Sequence, residues 1–587
     1  MRTPAVLLVL ATASLASSQD GVLLADLLDN GDFRETAEPS GDVRDRSIPW
    51  WTTSKPLERN LEGDTVWLHT GPGESASQPV CGYMPLAGQL VIRGRVRGAG
   101  SVVVLDGRHL PARFEVSGGS FEITGDQVAS ALAAQEEGPL RPRFKLGLVG
   151  GQEGADWTGV SFEVCLPAAT QAELRDEVIA HLEFIFGLWF ERGMEAGEED
   201  TGLVHHFFDA VTGEEISTIP GGLFPLWESL LTATGLHEDP GWAARLDSFL
   251  TAYLERCIYP ETGLPCRWNL AGQRAELGGW IEPHADLRFL LDVHERGPEA
   301  FRAPALEVAR RMGETILSVG VLPDGNVAAR YRASDGAVTL DALPLRRLDT
   351  PAQLARLGAA TGDSRFLEVA RNAVAEFEFT HHWPGDWLHI DPGFDDDFGI
   401  YAGRAMAMLD AYPGEATFRQ LVRSGFDHYT PRWHDALRFG GTVAVDQVRC
   451  WQLMLDFAGH EPGALEDLTV TLPAALRHHL KGTQYRNGAW GDVTVAGFDP
   501  QTGIQVGDLP GAPSNLLQGI ALLHDERLGM DLAEVRALYR AVLRSTDARY
   551  RRAHGYLLTE REHAGQNMAG GGLRLLAGLT EMLERLR

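Results

Sequence analysis

The chain has 587 residues, 44% of them hydrophobic and 23% charged, which is a globular composition spread over more length than one ordinary core fills. Lys and Arg number 52 against 81 Asp and Glu, a net charge of −29. That excess argues against nucleic acid or an anionic membrane as partner, while leaving room for a local basic pocket that holds an acidic sugar.

Taken from its start, the chain opens on Met1–Ser18, which reads as a secretory signal. Arg2 supplies the positive end. Ala5–Leu15 is an apolar stretch too short to cross a bilayer, and Ala16, Ser17 and Ser18 offer small residues for cleavage. No Cys follows the signal, so a lipid anchor is not expected. No later stretch reads as a membrane span. The expectation is an exported protein, secreted or periplasmic, with no membrane insertion. Among its five Cys, Cys257 and Cys266 flank the turn CIYPETGLPC and could close a disulfide in an oxidising compartment. Cys81 and Cys165 lie near the two ends of the first domain and could pair as well, and Cys450 suits a buried apolar helix face. No Cys spacing suits a metal.

Residues 19–167 carry short alternating runs: Thr65–His69, Gln89–Val96, Ser101–Leu105, Arg113–Val116, Ser120–Ile123, Arg143–Val149 and Val160–Cys165. Gly, Pro, Asp and Asn punctuate them, which predicts a β-sandwich. Asn30-Gly31-Asp32-Phe33, a polar gap, then Trp50-Trp51 resembles the opening of jelly-roll carbohydrate-binding modules. The resemblance implies a sugar-binding face or a structural calcium. Trp50 and Trp51 would then be stacking residues, with burial in the core as the competing use.

From Pro167 to Arg587 the period becomes helical. One set of predicted helices is amphipathic: Glu173–Arg192, Trp242–Arg256, Ala305–Leu317, Arg365–Phe379, Thr417–Phe426, Leu465–Leu480 and Asp531–Leu543. The other is apolar nearly all round and rich in small residues: Gly222–Leu231, Glu282–Val293, Leu345–Ala359, Phe398–Tyr412, Thr442–Phe457, Pro513–Leu523 and Gln566–Leu583. Amphipathic helices face water and apolar ones are buried, so outer and inner helices alternate. Inner-to-outer links are short, as in ATGDSR and AYPGEA. Outer-to-inner links are long and rich in Trp, Tyr, His, Arg and Asp, as in THHWPGDWLHIDPGFDD. Antiparallel hairpins would bring all the long links to one face, where a cleft is expected.

This alternation, with TGL at Thr201–Leu203 and Thr262–Leu264 and GDSRFLEVA at Gly362–Ala370, resembles the six-hairpin (α/α)-toroid superfamily of glycoside hydrolases, polysaccharide lyases and sugar epimerases. The resemblance implies an (α/α)6 or (α/α)7 toroid over residues 168–587 that acts on an oligo- or polysaccharide. The pattern itself counts seven hairpins. No complete family motif aligns, so no catalytic role is carried over.

Candidate residues come from the long links. The stretch His389–Tyr412 places Asp391 and Asp395–Asp397 in a loop before a helix predicted from Phe398. One cap needs one Asp, and three adjacent acids repel one another, so the cluster is either solvated or used. Asp395, Asp396 and Asp397, together with Glu282 or Asp446 across the mouth, could supply the two carboxylates of glycoside hydrolysis. Glu282 and His284 lie near the start of one inner helix; their bland uses are a helix cap and a core histidine. Tyr331 and Arg346 are placed to hold an anionic sugar, with a salt bridge of the neighbouring Arg pair to Asp341 or Asp349 as the alternative. Trp280, Trp387 and Trp490 offer flat faces for sugar, and His389 a polar contact. A lyase would instead draw on His284, Tyr331, Arg346 and His389. The aspartate run does not follow a calcium-loop pattern, and no phosphate loop, zinc-protease helix, serine elbow or dinucleotide fingerprint occurs. The reading is hydrolase first, lyase second and a non-catalytic glycan scaffold third. No cofactor or catalytic metal is expected, and calcium is the one structural ion admitted.

Overall fold

The computed structural model describes residues 21–24, 28, 30–34, 51–54, 56–81, 89–105, 111–134, 144–192, 202–204, 207–208, 215–217, 224–269, 274–276, 280–341, 347–380, 394–424, 426–427, 447–466, 468–469, 511–546, 559–563, 566–568 and 572–587. It has an N-terminal antiparallel sheet and a long run of helices.

The sheet is built round strand β8 (Phe144–Pro167), which pairs with β1 (Gly21–Leu24), β4 (Thr65–Thr70), β5 (Ser75–Cys81) and β6 (Gln89–Leu105). Strand β7 (Ala112–Thr124) pairs with β6. Three pairs of runs expected as separate strands are therefore single long strands. The glycines between them act as kinks, not turns. Gly98 (φ 80°) sits at a register shift of β6, and Gly118 and Gly119 interrupt β7 in the same left-handed region. A Cβ at Gly150 would strike the carbonyl oxygens of Thr70 and Gly71, so glycine alone lets β8 bend there. The result is a curled sheet.

In the NGDF segment Phe33 is core, and Trp51, expected as a stacking residue, is buried beside it. Phe33 and Trp51 are buried with ring centroids 5.3 Å apart, and Trp51 is 1% exposed. Trp51 Nε1 donates to the Asn30 carbonyl at 3.1 Å, and Val160 N donates to the Gly31 carbonyl at 2.9 Å. Trp50 lies outside the described residues.

Seven helices follow one another around a ring among the described elements: α3 (Phe224–Leu236), α5 (His284–Arg296), α7 (Asp349–Thr361), α9 (Phe394–Ala411), α10 (Gln447–His460), α11 (Gly511–Leu523) and α13 (Gly572–Arg585). Each packs on the next, and α13 packs back on α3. These are the seven apolar helices expected inside. Of the amphipathic set, α2 (Gln171–Arg192) lies on α13, α4 (Pro240–Arg256) on α3, α6 (Glu299–Val319) on α5, α8 (Ser364–Thr380) on α7 and α12 (Leu532–Thr546) on α11. Helix α12 also rests on β1 and β8 and so joins sheet to helices, with Arg536 Nε donating to the Ala169 carbonyl at 3.1 Å.

The described parts of the long links form small ladders ahead of inner helices, such as β13 (Trp280–Ile281), β14 (Arg330–Arg332) and β15 (Val338–Leu340). The expected disulfide across the Cys257–Cys266 turn is not formed. Both thiols are free and buried, and the turn is held by Cys266 N donating to the Cys257 carbonyl at 2.7 Å. Cys165 is free as well.

Candidate functional site

Strand β13 pairs with β14 in the register Trp280↔Arg332 and Ile281↔Tyr331. The chain then turns through Glu282 and Pro283 into α5. Pro283 suits this position because its fixed φ matches a helix start and its missing N–H leaves no bond unmade. The ladder puts Arg330 against Glu282, with Nε to Oε1 at 2.8 Å. The same guanidinium lies over the Trp280 ring at 3.8 Å. Arg330 thus meets a carboxylate through a charge-assisted hydrogen bond and an aromatic face through its π cloud. Trp280 is 44% exposed, one of few large hydrophobic side chains so placed among the described residues.

A second group lies at the same helix start. His284 Nε2 is 3.3 Å from Asp349 Oδ2, and Asp349 Oδ1 accepts from Arg404 Nε at 2.6 Å. Asp349 is the first residue of α7, and its side chain is 4% exposed. One buried carboxylate therefore joins α5, α7 and α9. A buried charge needs such partners, since desolvation alone would disfavour it. The dipole at the start of α7 adds to its support. Thr350 and Gln353 are also buried in the first turns of α7, so this inner helix opens on a polar stretch.

Asp286, in the first turn of α5, accepts from the Tyr253 hydroxyl of α4 at 2.5 Å. Burial pushes its carboxyl up to about 7, against the lowering effect of that hydrogen bond. The phenol of Tyr253 is driven well above its ordinary value, first by burial and then by the Asp286 charge.

The expected site residues divide as follows. Trp280, Glu282 and His284 come together at the start of α5. Tyr331, expected to touch substrate or act as a base, is fully buried at 0% exposure, and burial alone drives its phenol far up. Its ring fills the space over Gly320, where a Cβ would strike the hydroxyl. The alternating pattern of β14 explains this: Ile281 and Tyr331 face one way and are both buried, while Arg330 faces the other. Asp395, Asp396 and Asp397 fall in the first turn of α9, which begins at Phe394 and not at Phe398. Their side chains lie outside the described residues. Along α9 they stand roughly 10–14 Å from Arg404, at the usual helical rise. Asp446, Arg346, Trp387, His389 and Trp490 lie outside the described residues.

Sequence reasoning missed Arg330, Arg404 and Asp286. The Arg pair at 346–347 had been matched with Asp349 as neighbours in sequence, whereas Asp349 takes its partners from α5 and α9. Arg404, an arginine inside an otherwise apolar helix, was the signal available.

Among the described residues, one group has donor atoms close enough for a metal: Glu183, His237 and Asp239, within 4.8 Å of one another. It lies past the C-terminal end of α3, and Asp239 there already caps α4 by accepting from Trp242 N at 2.8 Å. No helix among the described residues is long and apolar enough to cross a membrane.

No family model matches the chain, and no curated protein matches it. Solved structures do. An α-1,2-mannosidase from Trichoderma reesei is 11% identical, with 71% of this chain and 94% of that one covered at a TM-score of 0.47. A cellobiose 2-epimerase from Bacillus thermoamylovorans is 10% identical, covering 71% and 99% at 0.41. A family 76 glycoside hydrolase (mannosidase) from Bacteroides thetaiotaomicron is 12% identical, covering 64% and 100% at 0.38. By their names, all three are enzymes that act on carbohydrate.

Proposed function

We propose that the chain is an exported carbohydrate-active enzyme whose reaction site is the ring face where α5 and α7 begin. The observation that carries this reading is the gathering of Trp280, Glu282, His284 and Asp349 at that face. A flat exposed indole beside acid–base groups is what binding and cleaving a sugar requires.

Hydrolysis of a glycosidic bond is the first reading. Glu282, held by the Arg330 guanidinium, is the candidate nucleophile or base. One of Asp395–Asp397, further out on α9, is the acid partner. The N-terminal sheet, as a jelly roll, braces the toroid. A second reading has one observation in its favour. The contact of His284 with a buried carboxylate is the usual dress of a histidine that takes a proton, as β-elimination or epimerisation of a uronate or neutral sugar needs.

The test is a screen of the purified mature protein against neutral and uronate polysaccharides, following reducing ends and ultraviolet absorbance together. Reducing ends without absorbance support hydrolysis. A matching rise in absorbance moves the reading to elimination. Binding with neither product would refute both hydrolysis and elimination, and binding without any epimer on sugar analysis of the products would refute the enzyme.

A further inference from the structure

We infer that Arg330 is a positioning residue that ties the Trp280 indole and the Glu282 carboxylate into one subsite, so that the sugar lying against Trp280 is the one whose bond meets Glu282. The inference rests on the proposal that this face is the reaction site, whichever sugar bond reacts there.

The placement is written in the ladder. Trp280 pairs with Arg332 and Ile281 with Tyr331. One rung further on, Glu282 comes opposite Arg330. Side chains alternate along a strand, so Trp280, Glu282 and Arg330 share one side, while Ile281 and Tyr331 share the other and are buried. Arg330 has Glu282 directly across from it and Trp280 on the diagonal, the two cross-strand neighbours that a long side chain reaches. It uses both at once. Its Nε donates to Glu282 Oε1 at 2.8 Å, and its guanidinium carbon stands 3.8 Å from the centre of the Trp280 ring. With the one C–N bond between those atoms included, the indole centre and the carboxylate oxygen are within about 8 Å of each other. That is the scale of one sugar ring with its linking oxygen.

Two features keep Arg330 in place. Tyr331 is fully buried with its ring over Gly320, so a slip of one residue would turn Tyr331 out and Arg330 in. Strand β15 carries an extra residue, Thr339, between the partners of Arg330 and Tyr331, and a bulge of this kind re-aims the side chains beside it. Arginine suits the position. A planar guanidinium can stack on an aromatic face and donate from its edge at the same time, which a lysine ammonium cannot do.

The test is fluorine-19 NMR of the full-length protein labelled with 5-fluorotryptophan. Its 14 tryptophans give one signal each, and the signal missing from Trp280→Phe is that of Trp280. Glu282→Ala should move the Trp280 signal by more than its linewidth in the parent protein. In an Arg330→Met background the same change should leave it within its linewidth. Arg330→Lys, which keeps the charge and lacks the planar fork, should also break the link, and it is the background to use if Arg330→Met fails to fold. A Trp280 signal that ignores Glu282→Ala in the parent, or follows it equally without Arg330, would overturn the inference. So would a full response in Arg330→Lys. Where the polysaccharide screen yields products, Arg330→Met should lower kcat about a hundredfold, the scale on which a small misplacement acts. Trp280→Ala should lower kcat as well as raise KM; a rise in KM alone would put its sugar in a remote subsite and refute the shared one. Linked signals with a silent screen would sink the functional reading and leave the hold of Arg330 on both groups standing, and products with unlinked signals would do the reverse.

Discussion

Asp286→Asn should make the protein more stable near neutral pH and above, and the gain should grow with pH. The carboxyl sits in the first turn of α5, hydrogen-bonded to Tyr253, with burial raising it from an ordinary 3.8 to about 7. Below the ordinary value both folded and unfolded chains hold the proton, and the group has no effect. Between the two values the unfolded chain releases a proton that the folded chain keeps. Unfolding is then favoured by rising pH, so stability falls across that window and stays low above it. The gap between 3.8 and about 7 corresponds to roughly 4 kcal/mol as an upper bound, at about 1.36 kcal/mol per unit. Asparagine keeps an oxygen for the Tyr253 hydroxyl and carries no charge at any pH. Its own amide adds a cost, but that cost does not vary with pH. The assay is urea unfolding of parent and variant side by side from about pH 4 to about pH 8. The difference in stability should rise by a few kcal/mol over that range and then level off. Histidines titrating in the same window cancel in the difference. A difference that is flat with pH would refute the reasoning and place the Asp286 carboxyl in contact with water.

Other outcomes can be checked with single variants. Trp51→Ala, which empties a buried indole and removes its hydrogen bond to the Asn30 carbonyl, should cost about 3–5 kcal/mol in denaturant unfolding without touching any activity of the helical ring. Tyr331→Phe should leave stability unchanged or slightly raised, because the hydroxyl is buried without a hydrogen-bond partner among the described residues; a loss beyond about 1 kcal/mol would mean it has one. Trp280→Ala should weaken glycan retention on affinity electrophoresis while the melting temperature holds. Glu282→Gln should abolish hydrolysis if the first functional reading is right, with folding checked by circular dichroism. Retained turnover would remove Glu282 from the chemistry.

How far the sequence carried can be judged from particular elements. The seven apolar helices were found because their small-residue pattern is local and repeated, and the ring that they form follows from where they must bury their faces. The strands were found but cut too short, since Gly98, Gly118 and Gly119 read as turns from composition alone and proved to be bends inside long strands. Helix starts shifted by a few residues: α9 gained a turn containing Asp395–Asp397, because Asp is as welcome in a first turn as at the cap before it. The site was half visible. Glu282 and His284 were found from their place at a helix start. Asp349 and Arg404 are 55 positions apart, a distance at which no periodicity links them. Tyr331 was misplaced because its strand was not recognised, and without a strand there is no alternation to say which side it faces.

The ring shows why its polar face can be specialised without loosening the fold. Deep between the helices, close approach is made by glycine. A Cβ at Gly313 would strike Leu357, one at Gly358 would come within 2.8 Å of the Tyr412 hydroxyl, and one at Gly403 would meet Leu453 at 3.3 Å. These contacts join α6 to α7, α7 to the residue that follows α9, and α9 to α10, where packing density fixes geometry. Charged bridges add to them between neighbours: Arg288 with Glu228 ties α5 to α3, and Arg356 with Asp292 and Glu295 ties α7 to α5. The Asp349–Arg404 pair has the same form and ties α7 to α9, yet its carboxylate also holds a histidine. Asp292 likewise meets two arginines, Arg356 and Arg296, so a carboxylate shared among three groups is a recurring way of joining these helices.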